Sequence, residues 1–287
     1  MLANTRVAPS PTGDMHLGTV RVAYFNWLTA RATGGRFILR IDDTDLERNN
    51  EDHVKTIYRV LEWLGLDYDS TFRQSARMER YNEIAERLIA SDLAVRVGNG
   101  GVLFTPRYYP DLWTDTIVGN IKITDTDKSI IKDMVLVKGK DGQPTYHFAS
   151  VIDDIDSQIN WVIRGDDHKT NTAKHMTIFE AINSVYDNQL TPPLYSHVGL
   201  IMKNGKKMSK RDGESSMLKY MEAGVPPEAV LNYLLRVGWG PREDNKFNTY
   251  IDKERAKRMF LTEGRMKSAP ASFDQAKFDS MVRHYSK

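Results

Sequence analysis

The sequence has no cysteine among its 287 residues. Disulfide bonds, a catalytic thiol and a cysteine-ligated zinc site are therefore excluded. Long apolar runs are also missing, and Pro9 and Pro11 interrupt the start of the chain before any leader-like segment forms. We therefore expect a cytoplasmic protein with no membrane partner. The seven histidines are scattered without metal-ligand spacing, so no protein-bound metal site is predicted.

The sequence has little excess of either charge, because 40 Lys and Arg residues and 38 Asp and Glu residues give a net charge of +2. Its distribution is uneven. From Lys246 onward, ten basic and five acidic residues give +5, which leaves −3 for the preceding part. A basic tail on a faintly acidic body fits a polyanion-binding end, and it equally fits a solvated helical surface.

The first 66 residues alternate between strand and helix patterns. "TRVAPS" and "RFILRI" predict strands, while "TVRVAYFNWLTARAT" and "NNEDHVKTIYRVLEWLGL" have the apolar spacing of helices. This order predicts an α/β fold with a Rossmann-like, doubly wound parallel sheet, whose ligands lie beyond the carboxyl ends of the strands. His16 and the acidic cluster Asp42, Asp43 and Asp45 follow two such ends.

Residues 95–142 depart from this pattern, because they are rich in Gly, Thr and Asp and contain short alternating apolar stretches. We therefore predict a Rossmann-like catalytic domain from 1–94 and 143–240, and a small inserted α+β domain at 95–142. A short helical extension is predicted at 241–287. Within the catalytic domain, "LYSHVGLIM" predicts one strand, "KNGKKMSKRDG" a charged loop and "PPEAVLNYLLRVGW" a helix.

Two short motifs carry the chemistry. In "HLGT", residues 16–19, a glycine two positions after the histidine permits a flat ligand to approach, and the imidazole can donate to a phosphate oxygen. In "KKMSKRDG", residues 206–213, four cations surround Met208 and Ser209 and can neutralise charge on a departing pyrophosphate. Each motif taken alone fits a simpler interpretation, a structural loop histidine for the first and a solvated basic loop or localisation signal for the second.

Together, in this order, the two motifs resemble the signatures of class I aminoacyl-tRNA synthetases. "RVAPSPTGDMHLGT", "GGRFILRIDDTDLERN", "QPTYHFASVIDDID" and "VIRGDDHKTNT" narrow the resemblance to the catalytic domain of the glutamyl-tRNA synthetase family, across residues 4–245. The resemblance implies ATP-dependent activation of L-glutamate to glutamyl-adenylate and its transfer to the 3′ end of a tRNA. It also implies ATP with Mg²⁺ as cofactors, the tRNA acceptor end as partner, and a monomer.

The resemblance also assigns site residues. The catalytic set is His16, Thr19, Lys207 and Lys210. The ATP-binding set is His16, Gly18, Thr19, Asp167, Leu200, Lys207, Met208, Ser209, Lys210 and Arg211. The glutamate-binding set is Arg6, Ala8, Ser10, Asp42, Tyr146, Ser150 and Arg164. Two arginines suit the two carboxylates of glutamate, because a guanidinium can grip a carboxylate with two parallel hydrogen bonds.

The sequence departs from the family pattern in several places. Asp42 stands where bacterial members usually have glutamate, and Ser150 where they often have a larger residue. The insertion is short, and we expect a compact form without the anticodon-binding domain. Three alternatives stay open: a glutamyl-queuosine tRNA(Asp) synthetase, a glutamate ligase with a non-tRNA acceptor, and a non-catalytic tRNA- or nucleotide-binding paralogue.

Overall fold

The computed structural model describes residues 1–45, 47–208, 216–241 and 250–287. The strands are β1 (Thr5–Val7), β2 (Phe37–Ile41), β3 (Ser70–Arg73), β4 (Ala94–Arg96), β5 (Val102–Phe104), β6 (Leu112–Asp115), β7 (Gly119–Lys122), β8 (Val135–Val137), β9 (Trp161–Gly165), β10 (Leu194–Val198), β11 (Ile201–Lys203), β12 (Lys206–Lys207), β13 (Trp239–Pro241), β14 (Gly264–Met266) and β15 (Ala271–Ser272). The helices are α1 (Leu17–Thr33), α2 (Glu51–Trp63), α3 (Met78–Ala90), α4 (Asp125–Ile131), α5 (Tyr146–Asp156), α6 (Thr172–Ser184), α7 (Met217–Glu222), α8 (Pro227–Arg236), α9 (Lys253–Met259) and α10 (Gln275–Tyr285).

Two groups of parallel strands form the centre of the fold. One runs β3-β2-β1, and the other runs β9-β10-β6 with the antiparallel strand β7 at its edge. They meet where the backbone N–H groups of Asn160 and Trp161 donate to the carbonyl of Asn4, at 3.2 and 3.3 Å. Strand order reverses at this junction, which is where open α/β sheets bind ligands. The predicted α/β fold with a parallel sheet is confirmed.

Helix α1 connects β1 to β2 and is buried along most of its length. It ends at Gly34, whose φ of 73° lies in the left-handed region that glycine adopts without strain. Its apolar residues pack against the sheet and against α8 and α9. Because α1 is fixed on both sides, the turn at its first residue is held rigidly beside the ends of β1 and β9.

The predicted strand "LYSHVGLIM" is divided in two by the structure. Strand β10 ends at Val198 and β11 begins at Ile201. Gly199 lies against the chain at Ala269, so closely that a Cβ on residue 199 would fall 2.1 Å from that residue's carbonyl oxygen. The segment 268–269 can therefore cross here only because position 199 is glycine, and the break turns Leu200 toward the junction of the sheet.

Residues 95–142 form two small antiparallel units. Strands β4, β5 and β8 make one sheet, and β6 with β7 makes a hairpin. Strand β6 also pairs in parallel with β10, where Asp115 lies opposite Tyr195. This segment therefore extends the central sheet as well as carrying strands of its own, and its boundaries as a domain stay a prediction.

The last described segment, 250–287, packs on the central part of the chain. Strand β14 pairs with β13, and β15 pairs with β11. Helix α10 buries Phe278 and Met281 in the same core as α1 and α8. None of the helices in the described ranges is both long enough and apolar enough to span a bilayer.

Candidate active site

A cavity of about 290 Å³ lies at the carboxyl ends of β1, β2 and β9 and at the first turn of α1. Most of the residues that the sequence singles out line this cavity: Arg6, Ala8, Ser10, His16, Gly18, Thr19, Asp42, Tyr146, Arg164, Asp167, Leu200, Lys207 and Met208. Ser150 does not line it. Ser209, Lys210 and Arg211 lie outside the described residues.

His16 is the N-cap of α1. Its Nδ1 atom accepts from the backbone N–H groups of Gly18 and Thr19, at 3.1 and 3.4 Å, so in the neutral ring the proton lies on Nε2. Nε2 is 3.2 Å from the hydroxyl of Thr19. The imidazole therefore both caps the helix and presents an N–H at its positive end, a suitable arrangement for a phosphate.

Gly18 makes room for that ring. A Cβ on residue 18 would lie 2.9 Å from Cε1 of His16 and 3.0 Å from Nδ1. Any larger residue would have to displace the imidazole from its capping position. The glycine of the motif is thus explained by the histidine two positions before it, in addition to any contact with a flat ligand.

The segment after residues 209–215 contacts the first motif, and the segment before them borders the same cavity. The backbone N–H of Met217 donates to the carbonyl of Met15 at 2.9 Å, and Ser216 forms an isolated β-bridge with His16. Met208 lies in the core next to the cavity. The two motifs, distant in sequence, therefore border the same space.

Lys207 forms an ion pair across the cavity with Asp167, with 2.5 Å between Nζ and Oδ2. Burial raises the pKa of the Asp167 carboxyl, but the hydrogen bond from Lys207 and the nearby His168 outweigh burial, so the pKa lies below its usual value. A ligand group that binds the Lys207 ammonium at the position of Asp167 Oδ2 competes with this ion pair. The Lys207–Asp167 ion pair therefore lies in the cavity that the two motifs border.

Buried arginines and aspartates crowd the end of the cavity near β1 and β2. Arg6 donates two hydrogen bonds to Asp154, at 3.0 and 3.3 Å. Arg40 donates two to Asp42, at 2.6 and 3.2 Å, and a further one to Asp154 at 2.8 Å. Burial raises the pKa of Asp42 to about 6, against the opposing effect of Arg40. The hydroxyl of Ser150 accepts from Arg40 at 3.3 Å, so Ser150 supports this network from behind.

Arg164, unlike Arg6 and Arg40, is surrounded by uncharged hydrogen-bond acceptors. It is 5% exposed, and its three hydrogen bonds go to His197 Nε2 (3.0 Å), His175 Nδ1 (3.3 Å) and Thr172 Oγ1 (2.7 Å). All three acceptors are uncharged groups, since burial lowers the pKa of both histidines. No carboxylate in the described part of the chain forms an ion pair with Arg164, and one N–H on each terminal nitrogen lacks a described partner.

Several residues that shape the site were missed by sequence reasoning: Arg21, Arg40, Asp115, Asp154, His175 and His197. Arg40 lies in a segment predicted to be a buried strand, and a charged residue inside such a strand is itself a signal. Arg21 is 1% exposed and donates to the carbonyls of Gly199 and Val237. No group of three His, Cys, Asp or Glu side chains in the described ranges could hold a metal ion.

Comparison with known proteins gives consistent matches. The family model described as "tRNA synthetases class I (E and Q), catalytic domain" matches residues 3–98 and 104–280. A glutamate–tRNA ligase of Methylacidiphilum infernorum is 42% identical over 260 residues, covering 86% of this chain and 56% of the relative. One from Akkermansia muciniphila is 40% identical over 255 residues, covering 85% and 57%. The chain thus spans a little over half the length of these two curated relatives.

A solved structure matches the fold over almost the whole chain. It is the crystal structure of a glutamate tRNA ligase from Elizabethkingia meningosepticum in complex with its amino acid. The TM-score is 0.84 at 28% sequence identity, and the match covers 99% of this chain and 70% of the other.

Proposed function

Because the chain belongs to the catalytic-domain family of class I tRNA synthetases for glutamate and glutamine, we propose that it activates L-glutamate with ATP and charges a tRNA. In the first step the α-carboxylate of glutamate attacks the α-phosphorus of ATP, and pyrophosphate leaves. In the second, a ribose hydroxyl at the 3′ end of the tRNA attacks the carbonyl carbon of the adenylate, and AMP leaves. Neither step needs a protein nucleophile, so the chain acts by positioning and electrostatic stabilisation.

The observation that carries the proposal is the unneutralised charge of Arg164. Arg6 pairs with Asp154, and Arg40 pairs with Asp42, Asp153 and Asp154, whereas the direct partners of Arg164 among the described residues are His197, His175 and Thr172. A substrate carboxylate can therefore become the direct ionic partner of the Arg164 guanidinium. Glutamine, with no net charge, would leave a buried cation unpaired at a cost of several kcal/mol. The site therefore favours glutamate.

The charge pattern also suggests which group binds where. The α-carboxylate is the nucleophile and loses its charge when the adenylate forms, whereas the γ-carboxylate keeps its charge throughout. A permanent buried cation is best matched by the permanent anion, so Arg164 binds the γ-carboxylate. Asp42 accepts the ammonium group. Ala8 and Ser10, on the loop after β1, and Tyr146, at the start of α5, border the amino acid.

ATP occupies the other end of the cavity. His16 and Thr19 contact its phosphates, Gly18 and Leu200 border the adenine, and Asp167 lies near the ribose. Lys207 leaves Asp167 and contacts pyrophosphate, together with Lys210. Met208, Ser209 and Arg211 complete the ATP set by motif. Mg²⁺ enters with the nucleotide, because it keeps phosphate oxygens and water as ligands.

The remaining parts of the chain bind tRNA. The catalytic domain comprises residues 1–94 and 143–240, and the insertion at 95–142 contacts the acceptor end of the tRNA. The extension at 241–287 has a net positive charge and lies beside the acceptor stem. The chain acts as a monomer in the cytoplasm, where tRNA, ATP and glutamate are available.

The test is glutamate-dependent exchange of pyrophosphate into ATP, with and without bulk tRNA. We expect exchange with glutamate, and kcat/KM at least about 10³-fold lower with glutamine, because the substrate would lack the charge that pairs with Arg164. Sequencing the tRNAs that become charged identifies the acceptor. Absence of exchange with any of the twenty amino acids, with or without tRNA, would contradict the proposal.

The pKa of Asp42 predicts the pH dependence of glutamate use. Its carboxyl ionises at about pH 6, and only the ionised form accepts the ammonium group. We expect log kcat/KM for glutamate to fall by about one unit for each pH unit below about 6. Acid unfolding caused by Asp42 does not explain such a loss. Its pKa is raised from 3.8 in the folded protein, so protonation of Asp42 between pH 6 and pH 4 increases the free energy of unfolding.

The matched variant for this prediction is Asp42→Asn, which has no group to ionise. We expect a lower kcat/KM for glutamate that no longer changes between pH 5 and 7. If the variant kept the wild-type inflection near pH 6, the inflection would belong to another group.

A further inference from the structure

Asp115 and His197 form a buried pair behind Arg164. Asp115 Oδ2 accepts from the His197 backbone N–H at 2.9 Å and from the ring Nδ1 at 2.7 Å. The other oxygen of Asp115 accepts from the backbone N–H groups of Ile117 and Val118, at 2.8 and 3.2 Å. Both side chains are at most 1% exposed. With four hydrogen bonds, the carboxylate is fixed in place.

These contacts determine the tautomer of His197. An ionised carboxylate only accepts, so the ring proton must lie on Nδ1, and Nε2 carries a lone pair. That lone pair accepts the Nε–H of Arg164 at 3.0 Å. The opposite tautomer would direct an N–H against the N–H of the guanidinium. The orientation of Arg164 therefore depends on a carboxylate that it does not contact.

A second arm holds the other side of the guanidinium. His175 Nδ1 lies 3.3 Å from Arg164 Nη1, which can only donate, so the His175 proton lies on Nε2. That nitrogen is 3.1 Å from Nδ1 of His147. Burial lowers the pKa of His147 to about 4, so this arm is also uncharged.

We propose that Asp115 and His197 are positioning residues that orient the Arg164 guanidinium for a glutamate carboxylate while leaving its charge unneutralised. This inference rests on the proposed role of Arg164 in binding glutamate. The contrast with Arg6 is the physical reason, because Arg6 pairs directly with Asp154 and a substrate carboxylate must share it. An acidic residue placed directly on Arg164 would compete with the substrate in the same way. The neutral imidazole of His197, oriented by its hydrogen bond to the Asp115 carboxylate, fixes the orientation of the Arg164 guanidinium without that competition.

Two substitutions of His197 separate positioning from packing. In His197→Gln the amide oxygen can occupy the place of Nε2 and accept from Arg164. In His197→Asn the shorter amide reaches only the place of Nδ1 and leaves Arg164 without this acceptor. We expect KM for glutamate to rise about 10- to 100-fold in His197→Asn and by no more than about threefold in His197→Gln. In both variants, kcat and KM for ATP should stay within about twofold of wild type.

Asp115→Asn tests the other member of the pair. An amide there can donate to the ring, which permits the His197 proton to move to Nε2. We expect a rise in KM for glutamate similar to that of His197→Asn. Thermal unfolding of each variant shows whether the fold is intact.

Nitrogen NMR of ¹⁵N-histidine-labelled wild-type protein measures the tautomer without any assay of activity. The His197 signals, assigned by their loss in His197→Gln, should show a protonated Nδ1 and an unprotonated Nε2. A protonated Nε2 in the wild type, or equal KM changes in His197→Gln and His197→Asn, would overturn the positioning role. If the tautomer is as expected but the wild type shows no exchange with any amino acid, the proposed function fails instead.

Discussion

Replacing Arg164 by leucine is expected to raise KM for glutamate by about 10² to 10³-fold. The guanidinium is buried and has only uncharged partners, so a bound carboxylate receives the full benefit of its charge. Removing one member of a buried ion pair costs about 3–5 kcal/mol, and each 1.4 kcal/mol is a factor of ten in affinity. Exchange kinetics at varied glutamate concentration measure the effect.

The same variant should lose its preference for glutamate. If Arg164 binds the γ-carboxylate, kcat/KM for glutamate and glutamine should differ by about tenfold or less in Arg164→Leu, because the charge that distinguishes them is gone. Arg36→Leu is the matched control, since Arg36 is exposed and bonded to Ser157 and Gln158 at the opposite end of β2. Unchanged discrimination in Arg164→Leu would place the γ-carboxylate elsewhere.

Replacing His16 by alanine is expected to lower kcat for exchange by about 10² to 10³-fold, the size found when one donor to a developing charge is removed. The reason is that Nε2–H at the end of α1 stabilises negative charge as pyrophosphate leaves. Alanine also removes the cap on the N–H groups of Gly18 and Thr19, which costs about 1 kcal/mol of folding stability.

His16→Asn separates these two effects. Asparagine is among the best N-cap residues, so the free energy of unfolding should return close to the wild-type value. Its amide cannot reach the position of Nε2, so kcat should stay as low as in the alanine variant. Recovery of kcat in His16→Asn would mean that the imidazole acts only as a helix cap. Denaturant unfolding and exchange kinetics on the same preparations decide between them.

Much of the fold could be predicted from local patterns, because the residue spacing typical of a strand or a helix is recognisable within a short segment. The apolar spacing of α1 and α2 is a short-range feature, and so is the apolar run of β2. The same holds for Asn50, whose side chain caps α2 by accepting from the backbone N–H of Asp52. The division of "LYSHVGLIM" at Gly199 was missed, because its cause is a distant segment that crosses at residue 269. No feature within the run itself records that crossing.

The site followed the same rule. Motif residues such as His16 and Lys207 could be placed beside one cavity because each motif comes after a strand predicted from the sequence, although Lys207 itself lies in the short strand β12. The partners of Arg164 could not, because Asp115 meets His197 only through the pairing of β6 with β10, 82 residues apart in sequence. An aspartate in a segment interpreted as an insertion gives no local sign of that contact.

The pairing of β6 with β10 has a consequence for redesign. The surroundings of Arg164 come from β6, β10 and α6, three separate stretches of chain. Exchanging one loop for that of a glutamine-specific relative would leave a buried cation, or a histidine in the wrong tautomer, behind it. A change of amino-acid specificity in this scaffold therefore requires coordinated substitutions on all three stretches, and single mutants along that path are expected to be poor enzymes for both amino acids.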